Sequence, residues 1–383
     1  MFESELDQIK AAGLYRRLRR VENDQGPMLR LDGREVINFS SNNYLGIANH
    51  PALAAAAKEA IDRYGCGSGA SRLISGNMTL HEQLECRLAE FKGTEAALVF
   101  NSGFQANSGI LSTITGEGDV ILSDALNHAS IIDGCRLARA RTIVYEHGDL
   151  NQLESALNQA AGAPRKLIVT ESIFSMDGDQ APLREIVELA EKHGAMVMVD
   201  EAHATGVFAD NGAGVVAKLG LGDRVLVQMG TLGKALGGFG AYVAGSRALR
   251  ELLINRCRSF IFTTALPPAV MAMALAAIDL VRREPDRREK LFSNCQRFKE
   301  GLRNLNFSVP GGESPIVPLI IGDAEKTMRF SERLLEKGVF AQGIRPPTVP
   351  AGTSRLRVTI MATHSENHIE TALRAFEEIK RTA

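Results

Sequence analysis

From about residue 80 to residue 245 the chain repeats one pattern, a short run of branched and apolar residues followed by a stretch with helical spacing. Strand candidates fall near Ala96 to Phe100, Val120 to Ser123, Thr142 to Tyr145, Leu167 to Glu171, Ala195 to Asp200, Val225 to Met229 and Ala241 to Ala244. A chain that alternates in this way is restricted to an α/β architecture, a mostly parallel sheet covered by helices on both faces. The restriction also says where to look for chemistry, because ligands of such sheets gather beyond the carboxyl ends of the strands. Polar residues fall there repeatedly: Asn101-Ser102-Gly103-Phe104, Asp124 with Asn127-His128, Glu171-Ser172 with Ser175, Asp200-Glu201-Ala202-His203, and Thr231 with Lys234.

The flanking regions read differently. Residues 1 to 20 have the look of a helix with a basic end, Tyr15-Arg16-Arg17-Leu18-Arg19-Arg20, and Asp32-Gly33 joins two short strands as a hairpin. Beyond residue 265 two helices, to about Arg283 and from Asp286 to roughly Leu305, lead into strands at Ile316 to Ile321 and Leu356 to Ile360 and helices at Ala324 to Lys337 and the end. Three regions are expected: an N-terminal helix and hairpin segment over 1–50, a large α/β domain over 51–285, and a small α+β domain over 286–383.

Length and charge narrow the function classes. A chain of 383 residues with 45% hydrophobic content has ample material for a buried core. Its 44 Lys plus Arg against 45 Asp plus Glu leave no global field that favours nucleic acid or a membrane surface. The five cysteines are never spaced as CxxC, which argues against a disulfide framework or a zinc site and fits a reducing cytoplasm; no metal is expected. The N-terminus lacks the basic then apolar order of a signal peptide, and no apolar run approaches a membrane span.

The chemistry centres on Val225 to Gly240, where a strand-type run breaks into glycines with one lysine among them. Gly230 stands three residues before Gly233 and Ala235 follows Lys234, so this is no phosphate-cradling P-loop. Gly65-Cys66-Gly67-Ser68-Gly69 follows a helical run rather than a strand, so it is no dinucleotide fingerprint either. Most lysines are solvated surface charges. One flanked by apolar residues and glycine at a strand end suits a nucleophilic amine, whose leading use is an imine to a cofactor aldehyde. Asp200 ends the buried run Met196 to Val199 and needs a cation or a helix to cap; a protonated pyridine nitrogen is one such cation, as in pyridoxal 5'-phosphate. His203 lies three residues on, within reach of the phenolic oxygen of the same ring, and His128 follows a neighbouring strand where it would stack on the ring face. Ser102-Gly103-Phe104, at a strand-to-helix turn, offers N–H groups to a phosphate.

Taken in order, Asn101-Ser102-Gly103-Phe104, Asn127-His128-Ala129-Ser130, Thr170 to Asp179, Asp200 to Gly206 and Gly230-Thr231-Leu232-Gly233-Lys234 resemble the α-oxoamine synthases nearly end to end. These are fold-type I pyridoxal-phosphate enzymes that condense an amino acid with an acyl thioester and release carbon dioxide. The resemblance implies a fold-type I transferase with a small α+β C-terminal domain. It implies that Lys234 holds the cofactor and carries protons, Asp200 pairs with the pyridinium, His203 and His128 contact the ring, and Glu171, Ser175 and Thr231 lie at the cofactor with Ser102, Gly103 and Phe104. Thr263 and Thr264 match a segment that reaches the phosphate of the neighbouring subunit, so a homodimer is implied. Arg345 matches the position that takes the substrate α-carboxylate, and Thr348, Arg16 and Asn42 match other substrate positions. The segment Gly343 to Arg357 resembles the branch that uses L-alanine and a pimeloyl thioester, on coenzyme A or acyl carrier protein, more than the branch that uses glycine and acetyl-CoA. Amino transfer and a non-catalytic scaffold role are the readings outside this class.

Overall fold

A computed structural model of the chain describes residues 2–381. They group into two compact units: residues 47–175 with 180–286, and residues up to 46 with 176–179 and those from 287 onward.

The first unit is built on a seven-stranded sheet. Its strands in chain order are β1 (Ala96–Phe100), β2 (Val120–Asp124), β3 (Arg141–Tyr145), β4 (Lys166–Glu171), β5 (Met196–Asp200), β6 (Val227–Thr231) and β7 (Ala241–Gly245). They lie side by side in the order β1-β7-β6-β5-β4-β2-β3. Only β7 runs antiparallel to its neighbours. All five residues of β2 and the last four of β5 are buried, as a strand covered on both faces requires. The helices that cover it show their inner face in the sequence: in Leu183–Lys192 the buried residues are Leu183, Ile186, Val187 and Ala190, at i, i+3, i+4 and i+7. Two further helices, α1 (Gly103–Ile114) and α2 (Ala129–Ala138), follow β1 and β2 and pack on each other. They contribute Ala106, Ile110, Leu111, Ile131 and Cys135 to a core shared with Leu98, Val169, Met198 and Met229. Removing a large aliphatic side chain from such a core costs about 2–5 kcal/mol.

The sixth strand lies two residues later than the apolar run suggests. A 3₁₀ turn at Gly222–Arg224 delays the entry, and Val227, not Val225, starts the ladder, so β6 reaches Thr231. Lys234 therefore stands in the loop after the strand.

In the second unit, strands Ile316–Gly322, Ser354–Thr359 and Gln342–Ile344 form an antiparallel sheet with Ser354–Thr359 in the middle. The hairpin Met28–Leu31 with Arg34–Asn38 turns at Asp32 (φ 49°) and Gly33 (φ 81°), the left-handed pair such two-residue turns demand. Its second strand pairs in parallel with Val339–Phe340. The expected helix over 1–20 is shorter. It spans Phe2–Ala11 with no buried residue, and the chain turns at Gly13 (φ 68°). Residues near 20 then pair with the hairpin, Asp32 donating its N–H to the Arg20 carbonyl at 2.9 Å, because backbone partners there replace those a helix would provide. Among the described residues no helix is long and apolar enough to cross a membrane.

Candidate active site

The loop after β6 is closed by its own backbone. Leu232 donates to the Gly240 carbonyl (2.9 Å), Gly238 to that of Leu232 (2.8 Å) and Gly237 to that of Lys234 (2.9 Å). These bonds hold Lys234 half-buried at the tip. Two glycines are required by space, and the second by conformation too. A Cβ at Gly230 would lie 2.4 Å from the Tyr242 hydroxyl, and one at Gly237, where φ is +63°, would lie 2.7 Å from the Ala48 nitrogen.

Lys234 opens onto a cavity of about 190 Å³ beyond the carboxyl ends of the parallel strands. Gly103, Phe104, His128, Glu171, Asp200, His203 and Thr231 line it with Lys234, and so do Asn107 and Ser130, to which no role was given from sequence. Asp200 is buried at the end of β5. Its Oδ1 accepts the Ala202 N–H and its Oδ2 the Asn107 amide, both at 2.8 Å, and both donors are neutral. His128 caps α2, its Nδ1 accepting the Ser130 N–H at 3.2 Å and lying 2.8 Å from the Ser130 hydroxyl. Burial pulls the His128 ring below the usual histidine range, Asp200 works against this and Lys234 adds to it, so the ring is neutral. Glu171 is buried at the end of β4, and burial, then the charge of Asp200, push its carboxyl well above the ordinary range. Lys234 and the N–H groups of His128 and Ser175 oppose that shift. Its Oε1 has no hydrogen-bond partner among the described residues.

Ser102 caps α1 by accepting the Gln105 N–H at 3.2 Å. The helix supplies no acceptor for the N–H groups of Gly103 and Phe104 in its first turn. The set fits pyridoxal phosphate by the chemistry of its donors. It has an amine for an aldehyde, a buried carboxylate for a pyridinium, a neutral imidazole beside the ring space and a helix N-terminus for phosphate.

Other expected residues lie elsewhere. Asn101 donates to the Thr263 hydroxyl (3.1 Å) and the Thr264 carbonyl (2.8 Å), beside a small second cavity that Arg72 and His81 also line. In the second unit the Arg16 guanidinium is 3.4 Å from the Thr348 hydroxyl, and Arg345 donates to the Tyr15 carbonyl at 2.9 Å. Burial, then the like charge of Arg16, lower the Arg345 pKa, and its Nε is buried without a partner among the described residues. Two adjacent guanidiniums with an N–H to spare constitute a demand for an anion. Asn42 takes a different part: its Oδ1 accepts both Nη groups of Arg357 at 3.2 Å and the Tyr44 hydroxyl at 3.3 Å.

Behind Asp200 lies a pair that no local motif reveals. Lys92 donates to Glu201 Oε2 and to the Ala213 carbonyl, both side chains fully buried, while Glu201 Oε1 accepts the Val216 N–H at 2.9 Å. Burial works to strip the Lys92 proton, but Glu201 and Tyr242 together outweigh it and the pKa is raised, so Lys92 is charged. The sole sequence signal is a charged residue on an otherwise inward-facing position of the helix Thr79–Lys92.

Fold and donor set together define a fold-type I pyridoxal-phosphate enzyme. Residues 34–376 match the family model for aminotransferase class I and II. A Geobacter sulfurreducens protein named 8-amino-7-oxononanoate synthase is 56% identical over 377 residues, covering 98% of this chain and 96% of its own. A solved serine palmitoyltransferase from S. paucimobilis, a variant with a bound PLP–myriocin aldimine, superposes at TM-score 0.94 and 35% identity, covering 100% of this chain and 97% of that one. The 8-amino-7-oxononanoate synthase of Francisella tularensis superposes at TM-score 0.78 and 30% identity, covering 91% and 98%. The chain belongs to the aminotransferase class I and II family and, within it, to the 8-amino-7-oxononanoate synthases.

Proposed function

We propose that the protein condenses L-alanine with a pimeloyl thioester to give 8-amino-7-oxononanoate, carbon dioxide and a free thiol, a step of biotin assembly. The carrying observation is one cavity shared by Lys234, Asp200, His128 and His203 in a chain 56% identical to a protein named for that product. Pyridoxal phosphate bound there supplies an electron sink for the pair left on the α-carbon of alanine.

The residues would divide the work as follows. Lys234 Nζ holds the cofactor, then takes the α-proton of alanine and returns one to the same carbon at the end. Asp200 would keep the pyridine nitrogen protonated, and His203 would bond the phenolic oxygen. His128 would lie on the ring face, neutral and so without repulsion toward Lys234 or the pyridinium. Ser102, Gly103 and Phe104 seat the phosphate at the α1 N-terminus, with Ser175 and Thr231 nearby. Burial and the charge of Asp200 favour the neutral Glu171 carboxyl, the form that would add no second negative charge beside Asp200. Arg345 takes the α-carboxylate with two parallel hydrogen bonds, and Thr348, Arg16 and Asn42 serve substrate binding. Across the reaction a carbon–carbon bond to the acyl group replaces its carbon–sulfur bond, the carboxylate leaves as carbon dioxide, and Lys234 restores the proton.

A homodimer, with Thr263 and Thr264 serving the site of the other copy, accords with the apolar side chains near them. Ile74 is 80% and Phe262 71% exposed, and Leu73 and Phe104 are also exposed. Such a patch favours burial against a partner. A reducing cytoplasm accords with five free cysteines.

The test is thiol release from pimeloyl-CoA by the pyridoxal-phosphate-loaded protein, run in parallel with L-alanine and glycine. Release with alanine supports the reading, with the same assay on acyl carrier protein assigning the natural carrier. Turnover of glycine with acetyl-CoA alone would overturn it.

A further inference from the structure

Along the wall of the cavity four of its lining side chains form one hydrogen-bonded chain. Asn107 on α1 is buried and sends one N–H of its amide to Asp200 Oδ2 (2.8 Å) and the other to Ser130 Oγ (2.9 Å). A primary amide has only those two hydrogens, so its donor side is fully used. Its oxygen is buried without a partner among the described residues. Leaving a buried carbonyl unpaired is unfavourable, and it defines which way the amide faces. Turned over, Asn107 would set its oxygen against the Asp200 carboxylate, acceptor against acceptor. The charge on Asp200 thus orients the amide.

The orientation propagates. With Asn107 donating to it, Ser130 Oγ is an acceptor on that side, and its own hydrogen points to His128 Nδ1 at 2.8 Å. The backbone N–H of Ser130 reaches the same Nδ1, at 3.2 Å. A backbone N–H only donates, so Nδ1 accepts and the imidazole proton resides on Nε2.

We propose that Asn107 and Ser130 are positioning residues that relay the charge of Asp200 to His128 and hold its ring as the neutral tautomer protonated at Nε2. The relay makes the groups at the two ends of the site interdependent: a carboxylate for a pyridinium at one end, an imidazole with one defined donor at the other. It deepens the reading of this cavity as the cofactor site, and rests on it.

Burial disfavours the protonated His128 ring, Asp200 from β5 favours it and Lys234 from the loop after β6 disfavours it, while Glu171 from β4, its carboxyl pushed upward by burial and Asp200, accepts the His128 backbone N–H. Two donors at Nδ1 further favour the neutral ring. Removing one raises the pH at which His128 takes a proton.

The experiment uses ¹⁵N-histidine-labelled, pyridoxal-phosphate-loaded protein. The chain has eight histidines, and a His128→Asn variant assigns the resonance. The wild type is expected to show His128 as the Nε2–H tautomer. Ser130→Ala, which removes a single oxygen, is expected to mix the tautomers and move the acidic limb of kcat/KM upward by about half a pH unit to one unit, the weight of one hydrogen bond. Asn107→Leu should perturb the same resonance and weaken cofactor binding about tenfold, read by fluorescence titration. If both variants lower the melting temperature but leave the His128 resonance and the acidic limb in place, Asn107 and Ser130 are packing residues and the relay is refuted. The tautomer is read without substrate, so failure of the proposed condensation would appear separately, as absent thiol release beside an intact Nε2–H pattern.

Discussion

Replacing Lys92 with methionine keeps much of the side-chain volume and removes the cation that faces Glu201. The Glu201 carboxylate would then retain only the Val216 N–H at 2.9 Å, in a place where neither member of the pair is exposed. Removing one partner of a buried pair costs about 3–5 kcal/mol, chiefly because the remaining charge has lost its counterpart and cannot reach water. At 1.36 kcal/mol per factor of ten, that is two to four decades in the folding equilibrium. Urea denaturation of the pyridoxal-phosphate-loaded protein, followed by fluorescence and by circular dichroism, measures it. The variant also carries a pH signature. In Lys92→Met the folded-state pKa of Glu201 is raised above its unfolded value. Its stability is therefore fullest below the unfolded pKa and falls as pH rises toward the folded one. The deficit against wild type should shrink on going from pH 8 to pH 5. Lys92→Met with Glu201→Gln should recover most of the loss, since a neutral amide needs no counterion. A loss below about 1 kcal/mol, or a deficit that does not change with pH, would refute the argument that this ion pair is a closed electrostatic unit.

Other outcomes follow from the site. Lys234→Ala should leave no cofactor bond that borohydride can reduce and lower turnover at least about a thousandfold; a variant near wild-type rate would remove Lys234 from the chemistry. Because the Glu171 carboxyl is pushed well above its ordinary range, Glu171→Gln, which mimics the protonated form, should keep cofactor affinity within about threefold, whereas a large loss would mean that the ionised form matters. Arg345→Ala should raise the KM for alanine about ten- to a hundredfold, the weight of a charge-assisted hydrogen bond, and leave cofactor binding unchanged. Ile74→Asp with Phe262→Asp should shift the protein from dimer to monomer in analytical ultracentrifugation; an unchanged sedimentation coefficient would place the interface elsewhere.

The difference between what local sequence conveys and what it conceals follows the range of the interactions. The strands of the seven-stranded sheet announce themselves because doubly buried strands read as continuous apolar runs, and Asp32-Gly33 announces its turn because few residue pairs accept two left-handed conformations in succession. Lys234, Asp200, His203 and His128 stand out for the same kind of reason: each is a polar residue at, or within four residues of, the carboxyl end of an apolar strand. The first helix is shorter than its pattern suggests because Gly13 ends it in a left-handed conformation (φ 68°), Leu14 donating back to the Ile9 carbonyl at 2.9 Å, and the arginines that follow meet the hairpin instead, through Arg20 and Asp32.

By itself the sequence determined the α/β class, the strand ends that carry the chemistry and the family of the chain, since these depend on local pattern and on motifs contiguous along the backbone. Only the tertiary structure decided which neutral donors hold Asp200, that His128 is tied to it through Asn107 and Ser130, and that Lys92 stands behind Glu201. Asn107 and Asp200 are 93 residues apart and Lys92 and Glu201 are 109 apart, so no spacing rule links them. Their partnership exists only because buried polar groups must find complements across the layers that the fold brings together.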